Sequence, residues 1–209
     1  MVAPPPAALK LAVFALALGG FGIGTTEFVA MGLLPQIATT MGVSEPAAGH
    51  VISAYALGVV IGAPLIAALT ARMPRKPLLL ALVALFIVGN LGAVLAPSYP
   101  ALVGARFIAG LPHGAYFGIA ALVAAKLLGP GKRAKAVAYV LSGLTIATVV
   151  GVPLASWLGQ AFGWRSALLS VVVIGIVTFT AICLWLPAVG ATATPRPPES
   201  SCQLPSTSS

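Results

Sequence analysis

Charge is what this sequence has least of. Only 7% of its 209 residues are charged, against 59% hydrophobic, where soluble domains carry roughly 25% charged residues. Such a chain cannot cover a globular surface with groups that water prefers. Lipid must be the solvent for most of it. Acidic residues are the scarcest class, three in all, Glu27, Glu45 and Glu199, so no Ser-His-acid set is at hand for hydrolysis. The two cysteines, Cys183 and Cys202, have neither metal-ligand spacing nor partners for a disulfide framework. No Gly-rich loop ending in Lys-Ser or Lys-Thr is present to hold ATP phosphates, and no His/Glu/Cys cluster is there for a metal. An enzyme is therefore not expected, nor a cofactor.

The net charge of +8 raises nucleic acid as a partner, but position argues against it. The basic residues sit in short gaps between apolar runs, with no basic face and no aromatic interleaving. Cutting the chain at those gaps leaves six runs of about 20 residues, the length needed to span a bilayer. They cover 11–34, ended by Pro35, then 51–71, 78–96, 101–124, 136–159 and 166–186. The first continues well past the apolar core of a signal peptide, about 7–15 residues, and is read as a retained helix. The expected fold is an all-α membrane bundle of six transmembrane helices. Residues 1–9 form an N-terminal segment, 10–187 the membrane domain, and 188–209 a Pro/Ser/Thr-rich tail expected to be disordered.

Loop charge sets the expected orientation. Lys10, then Arg72, Arg75 and Lys76, then Lys126, Lys132, Arg133 and Lys135, and finally Arg196 fall on one side, with Arg165 alone on the other. The basic side is cytoplasmic by the positive-inside rule, which places both termini there.

Small residues recur at helical spacing: Gly143, Ala147, Gly151, Ala155 and Gly159 in the fifth run, Gly110, Gly114 and Gly118 in the fourth, Ala54, Gly58 and Gly62 in the second, Gly20 and Gly24 in the first. In lipid, close helix contact depends on such residues, so tight seams are expected. Pro64, Pro112 and Pro153 lie within spans and can kink them. Kinks serve the moving gates of a transporter, and static bundles contain them too.

Three ionisable side chains fall inside the spans. Charge near a bilayer centre costs at least ~2.5–3.5 kcal/mol, so such groups persist only where they face protein or a wet cavity. Glu27 is either a proton-titrating or cation-binding carboxylate, or a structural hydrogen-bond partner. Arg106 cannot lose its proton and needs a partner, water, or a route to the surface. Glu27 and Arg106 have similar expected depth, which predicts that they approach one another in the outer half of the bundle. His113, two turns further along the stripe of Arg106, is either a titrating group or a neutral buried one. Asn90 and Tyr116 are candidates for a cavity wall.

Four stretches carry a resemblance: Gly24-Thr25-Thr26-Glu27-Phe28-Val29 with Gly32-Leu33-Leu34-Pro35; Ala67 through Lys76; Arg106 through Gly114; and Gly143 through Gly159 followed by Gly163-Trp164-Arg165. Together they resemble the major facilitator superfamily, in its bacterial drug:proton antiporter branch with sugar-efflux and chloramphenicol-resistance members. The resemblance implies one half of a major facilitator fold, built from 3+3 inverted repeats, in the bacterial plasma (inner) membrane. It implies proton-coupled efflux by alternating access, with a small-molecule substrate and protons as ligands. By the same resemblance Arg106 takes part in proton coupling, and Arg72, Arg75 and Lys76 form a gating loop. The helix-five motif, with Gly143, Gly151, Pro153 and Gly159, would pack against the other half. The sequence departs from the pattern in three places. Ala71 stands where the loop motif has an acid, Pro74 stands for its glycine, and Val152 separates Gly151 from Pro153. The family has twelve helices, so this chain is expected to be a truncated or frameshifted N-terminal half. It would act with a second six-helix half or a second copy, or else be a non-transporting fragment or subunit.

Overall fold

The computed structural model describes residues 6–187, and the expected tail, with Arg196 and Cys202, lies outside them. Among the described residues there is no strand, and six helices are long and apolar enough to cross a membrane. They are helix one (Ala8–Met41), helix two (Glu45–Thr70), helix three (Arg75–Val94), helix four (Tyr99–Leu128), helix five (Arg133–Phe162) and helix six (Trp164–Trp185).

Helix one runs seven residues further than its apolar run predicts. Pro35 was expected to end it, but the helix passes through a 3-10 stretch, Ala30–Leu33, and resumes with Pro35 in its first new turn. There a missing N–H costs nothing. The stop comes at Gly42, left-handed at φ 66°, while the Val43 amide returns to the Ala38 carbonyl at 3.0 Å. Helix one therefore projects further than expected, and Glu27 sits near its middle, roughly 20 Å from Met41.

Helices one and four form the centre. Helix one packs against helices five and six, helix two against four, and helix three against four and six. One apolar core gathers around Leu16, Leu79, Val123 and Ile182, a second around Leu33, Val51, Leu102 and Trp164.

The glycines set how near these axes come. A Cβ on Gly143 would collide with the Ala17 carbonyl, and one on Gly151 with the Thr25 hydroxyl and the Phe21 ring. On Gly159 it would stand 2.7 Å from Leu33. All five small residues of the helix-five series are buried. The same logic joins helix two to helix four, where Gly58 meets the Phe107 carbonyl and Gly110 the Tyr55 carbonyl. Gly118 departs from the expected series, since nothing lies within 4 Å of its Cβ position.

The helix-five glycines Gly143, Gly151 and Gly159 meet helix one within the bundle, while Pro153 of the same motif is exposed. What helix five turns outward is large and apolar, including Val149 (69% exposed), Leu154 and Trp157 (61%). Helix two does likewise with Leu57, Val60 and Leu69.

Each proline has a distinct consequence. Helix two passes Pro64 unbroken. At Pro112 helix four is interrupted, and the Leu111 amide tightens onto the Ile108 carbonyl at 3.3 Å. Ahead of Pro153 the backbone widens into a π turn, Ala147–Gly151, in which the Val152 amide reaches back to the Ala147 carbonyl. The wide turn lets the chain absorb an acceptor that Pro153 cannot partner.

Arg165, the one basic residue on its side of the loop pattern, is a clamp. Its Nε donates to the Val94 carbonyl and its Nη2 to the Ala96 carbonyl, both at 3.0 Å, and its guanidinium stacks 4.4 Å from the Trp164 ring. The carbonyls at the end of helix three have no helical donor of their own, so the start of helix six is pinned to them. Arg165→Ala should lower stability by about 1–2 kcal/mol, because bonds to a charged donor are among the stronger ones but this one is partly solvated. Thermal unfolding in detergent tests this, and an unchanged Tm would show the clamp to be idle.

Candidate functional site

The site begins with a stripe on helix four. Arg106, Gly110 and His113 follow one another at steps of four and three, which keeps them on one face. Arg106 is fully buried. Its Nη1 donates to the Thr26 hydroxyl at 2.8 Å and its Nη2 to the Thr26 carbonyl at 3.0 Å. That carbonyl lies four residues before Ala30, where helix one leaves α-helical geometry, and so loosens its hold on its own helical donor. The Thr26 hydroxyl in turn donates a hydrogen bond to Asn90 Oδ1 at 2.6 Å, and Asn90 Nδ2 donates to the Phe86 carbonyl at 2.9 Å. Helices one, three and four are tied together by this chain.

Helix two contributes an aromatic face. The Arg106 guanidinium sits 4.4 Å from the centre of the Tyr55 ring, a cation–π contact that partly offsets the lost hydration. Arg106 Nε has no hydrogen-bond partner. The Tyr55 hydroxyl meets His113 Nδ1 at 3.1 Å, and His113 Nε2 stands 4.0 Å from Glu27 Oε2. The Glu27 side chain is 31% exposed and that of His113 13%. The cluster therefore runs from a sealed end at Asn90 to an open end at Glu27.

This geometry refines the expected pairing. Arg106 and Glu27 belong to one cluster, linked through Tyr55 and His113. Yet no ion pair within 4.0 Å joins them among the described residues, and the basic group facing Glu27 is His113. Neighbours on a helix point about 100° apart. Thr26 is turned into the bundle to take the guanidinium, which turns Glu27 toward the open side.

One expectation is corrected. Asn90 is not a cavity wall; it is fully buried and spends both ends of its amide on hydrogen bonds. Tyr116 is 1% exposed and donates to the Leu16 carbonyl at 2.9 Å, which makes it a pin between helices four and one. Two participants were missed, Thr26 and Tyr55. Hydroxyls within a span are a usable signal, because lipid offers them no partner, but pattern alone does not say which of them face inward.

At the loop between helices two and three, Arg72 is exposed and Arg75 opens helix three. Lys76 donates to the Cys183 carbonyl at 2.9 Å, which ties the start of helix three to the end of helix six. No group of three or more metal-ligating side chains occurs among the described residues.

In chemical terms, Glu27 and His113 are two titratable side chains whose nearest atoms lie 4.0 Å apart, both partly exposed. Arg106 is a permanent charge held still by helices one and two.

The sequence pattern described as Major Facilitator Superfamily matches residues 16–207. The chain belongs to the major facilitator superfamily. The chain is 46% identical over 184 residues to the inner membrane transport protein YdhP of Escherichia coli (strain K12), covering 88% of this chain and 47% of that one. It is 38% identical over 185 residues to the chloramphenicol resistance protein of Streptomyces lividans, covering 88% and 47%. Among solved structures, the partially occluded inward-open form of the xylose transporter XylE from E. coli superposes with a TM-score of 0.75 at 18% identity. That match covers 87% of this chain and 50% of the transporter, and at such low identity it carries the fold alone. The chain spans about half the length of the curated relatives it matches. Its fold is a six-helix half of the major facilitator architecture, and it is a multi-pass membrane protein of a transporter family.

Proposed function

We propose that this chain supplies the proton-handling half of a secondary transporter that exports drugs or other small molecules in exchange for protons. One observation supports the reading above the rest. A partly exposed carboxylate, Glu27, faces His113 at 4.0 Å in the same cluster as a buried, permanently charged Arg106. In a bundle otherwise stripped of charge, such groups are costly unless they serve a pathway. Protonation of Glu27 would remove its attraction to the permanent charge of Arg106 and change its contact with His113, and that change is what alternating access would couple to substrate exchange. The basic loop end would face the cytoplasm, across the bacterial inner membrane, as loop charge favours.

Substrates in this architecture bind between two repeats, so the second wall of the cavity would come from another six-helix unit or another copy. The exposed apolar faces of helices two and five are suited to receive it. A second reading, a subunit that acts by binding a partner without transporting, rests on those same faces.

The test uses the full chain in proteoliposomes, alone and with a second copy fused to it, under an imposed proton gradient. Chloramphenicol is the first compound to add, since the name of one relative points to it. Proton movement that follows drug addition, and falls at least tenfold in Glu27→Gln, supports exchange. Folded protein that moves no protons with any of a broad drug panel, in either format, supports the second reading.

A further inference from the structure

Away from the polar cluster, the basic end of the bundle holds a groove of about 500 Å³ between helices one and five. Lys10, Lys132 and Lys135 line it together with Val13, Phe14 and Tyr139. The groove lies within the size range of ligand sites, about 300–1,000 Å³.

Three observations say what it holds. First, it gathers three positive charges with no described carboxylate near them. Of the two described acidic residues, Glu27 lies roughly 25 Å along helix one from Lys10, and Glu45 opens helix two at the opposite end of the bundle. Second, the three lysines are exposed while the rest of the lining is mostly apolar, with Phe14 57% exposed. Third, Lys135 is already posed, its Nζ 5.6 Å from the centre of the Tyr139 ring. Three cations around a mostly apolar groove, at the level where a helix bundle leaves the hydrocarbon, match a phosphodiester attached to acyl chains.

We infer that this groove is a binding site for an anionic phospholipid, with the headgroup phosphate among Lys10, Lys132 and Lys135 and an acyl chain along Val13 and Phe14. The lipid would fill the cleft between the start of helix one and the start of helix five, and brace the two helices whose glycine seam lies directly beyond it. Arg133, one residue from Lys132, lines a different depression with Lys126 and Gly131, so it carries the same charge outside the site.

The measurement is native mass spectrometry of the full chain in detergent, with phosphatidylglycerol or phosphatidylcholine added at matched concentrations. It requires no transport, so it stands or falls apart from the exporter reading. Wild type should retain phosphatidylglycerol in preference to phosphatidylcholine. Each of Lys10→Gln, Lys132→Gln and Lys135→Gln should weaken that retention roughly fivefold, at about 1 kcal/mol per lysine near a lipid surface. Arg133→Gln should bind as wild type does. Equal retention of the two lipids by wild type would overturn the proposal without any variant. So would an Arg133→Gln loss as large as that of the lysines, which would mean diffuse charge and no site. Displacement of the lipid by millimolar inorganic phosphate would overturn the acyl half of the assignment.

Discussion

Arg106→Met should abolish proton-coupled transport while leaving the protein as stable as before, or slightly more so. The two halves of this expectation come from different terms. Burying a guanidinium costs several kcal/mol even after relaxation. Arg106 recovers part of that from two hydrogen bonds to Thr26 and the Tyr55 face, and its Nε recovers nothing. It has no carboxylate within ion-pair distance to strand, so removing it leaves no orphaned charge. The Thr26 hydroxyl keeps its bond to Asn90. Replacing a buried ion by an apolar side chain of similar volume is often neutral or stabilising by about 1–4 kcal/mol. Function should respond in the opposite direction, because the fixed charge beside Glu27 is gone. The expected signature is loss of at least 100-fold in exchange rate at unchanged or raised Tm. A large fall in Tm would mean that Arg106 is held for architecture, and the proton-handling role would lose its support.

Gly143→Val should prevent the bundle from assembling. At Gly143 the obstacle is the Ala17 main-chain carbonyl, which has no rotamer to move into. Overpacking a core usually costs about 1–3 kcal/mol when side chains give way, and here whole helices must separate along a seam that also contains Gly151 and Gly159. In lipid that contact is the main source of helix association. The expected result is loss of folded, monodisperse protein in detergent. Gly118→Ala is the matched control: with open space at its Cβ position, it should gain about 0.5–1 kcal/mol from helix propensity. Equal behaviour of the two variants would remove the seam from the account.

How far these features could be read beforehand depended on their physical origin. The six spans and the seams follow from composition and period, because lipid punishes exposed polar backbone and rewards small residues at steps of four. Partner identity did not follow. The small residues of helix five announced a close approach, but not that helix one would meet Gly143, Gly151 and Gly159. Glu27 and Arg106 were picked out by scarcity alone, and they were expected to approach one another. Their relation was not, because adjacent residues on helix one diverge by a third of a turn. That divergence gives Arg106 to Thr26 and leaves Glu27 to His113. Tyr55 was invisible because an aromatic in an apolar span looks like packing until a cation is found on its face. Pro35 misled for a local reason: a 3-10 turn allowed the helix to restart around it.

Everything functional turns on whether the Glu27 carboxylate exchanges its proton under the influence of His113 and Arg106. Difference infrared titration of the purified full chain reads this directly, with Glu27→Gln subtracted to isolate that one carboxyl from Glu45 and Glu199. The account predicts a single carboxyl band that vanishes in Glu27→Gln and whose midpoint moves in both His113→Ala and Arg106→Met. A Glu27 band whose midpoint stays fixed in both variants would contradict it, for then the carboxylate would be electrostatically alone.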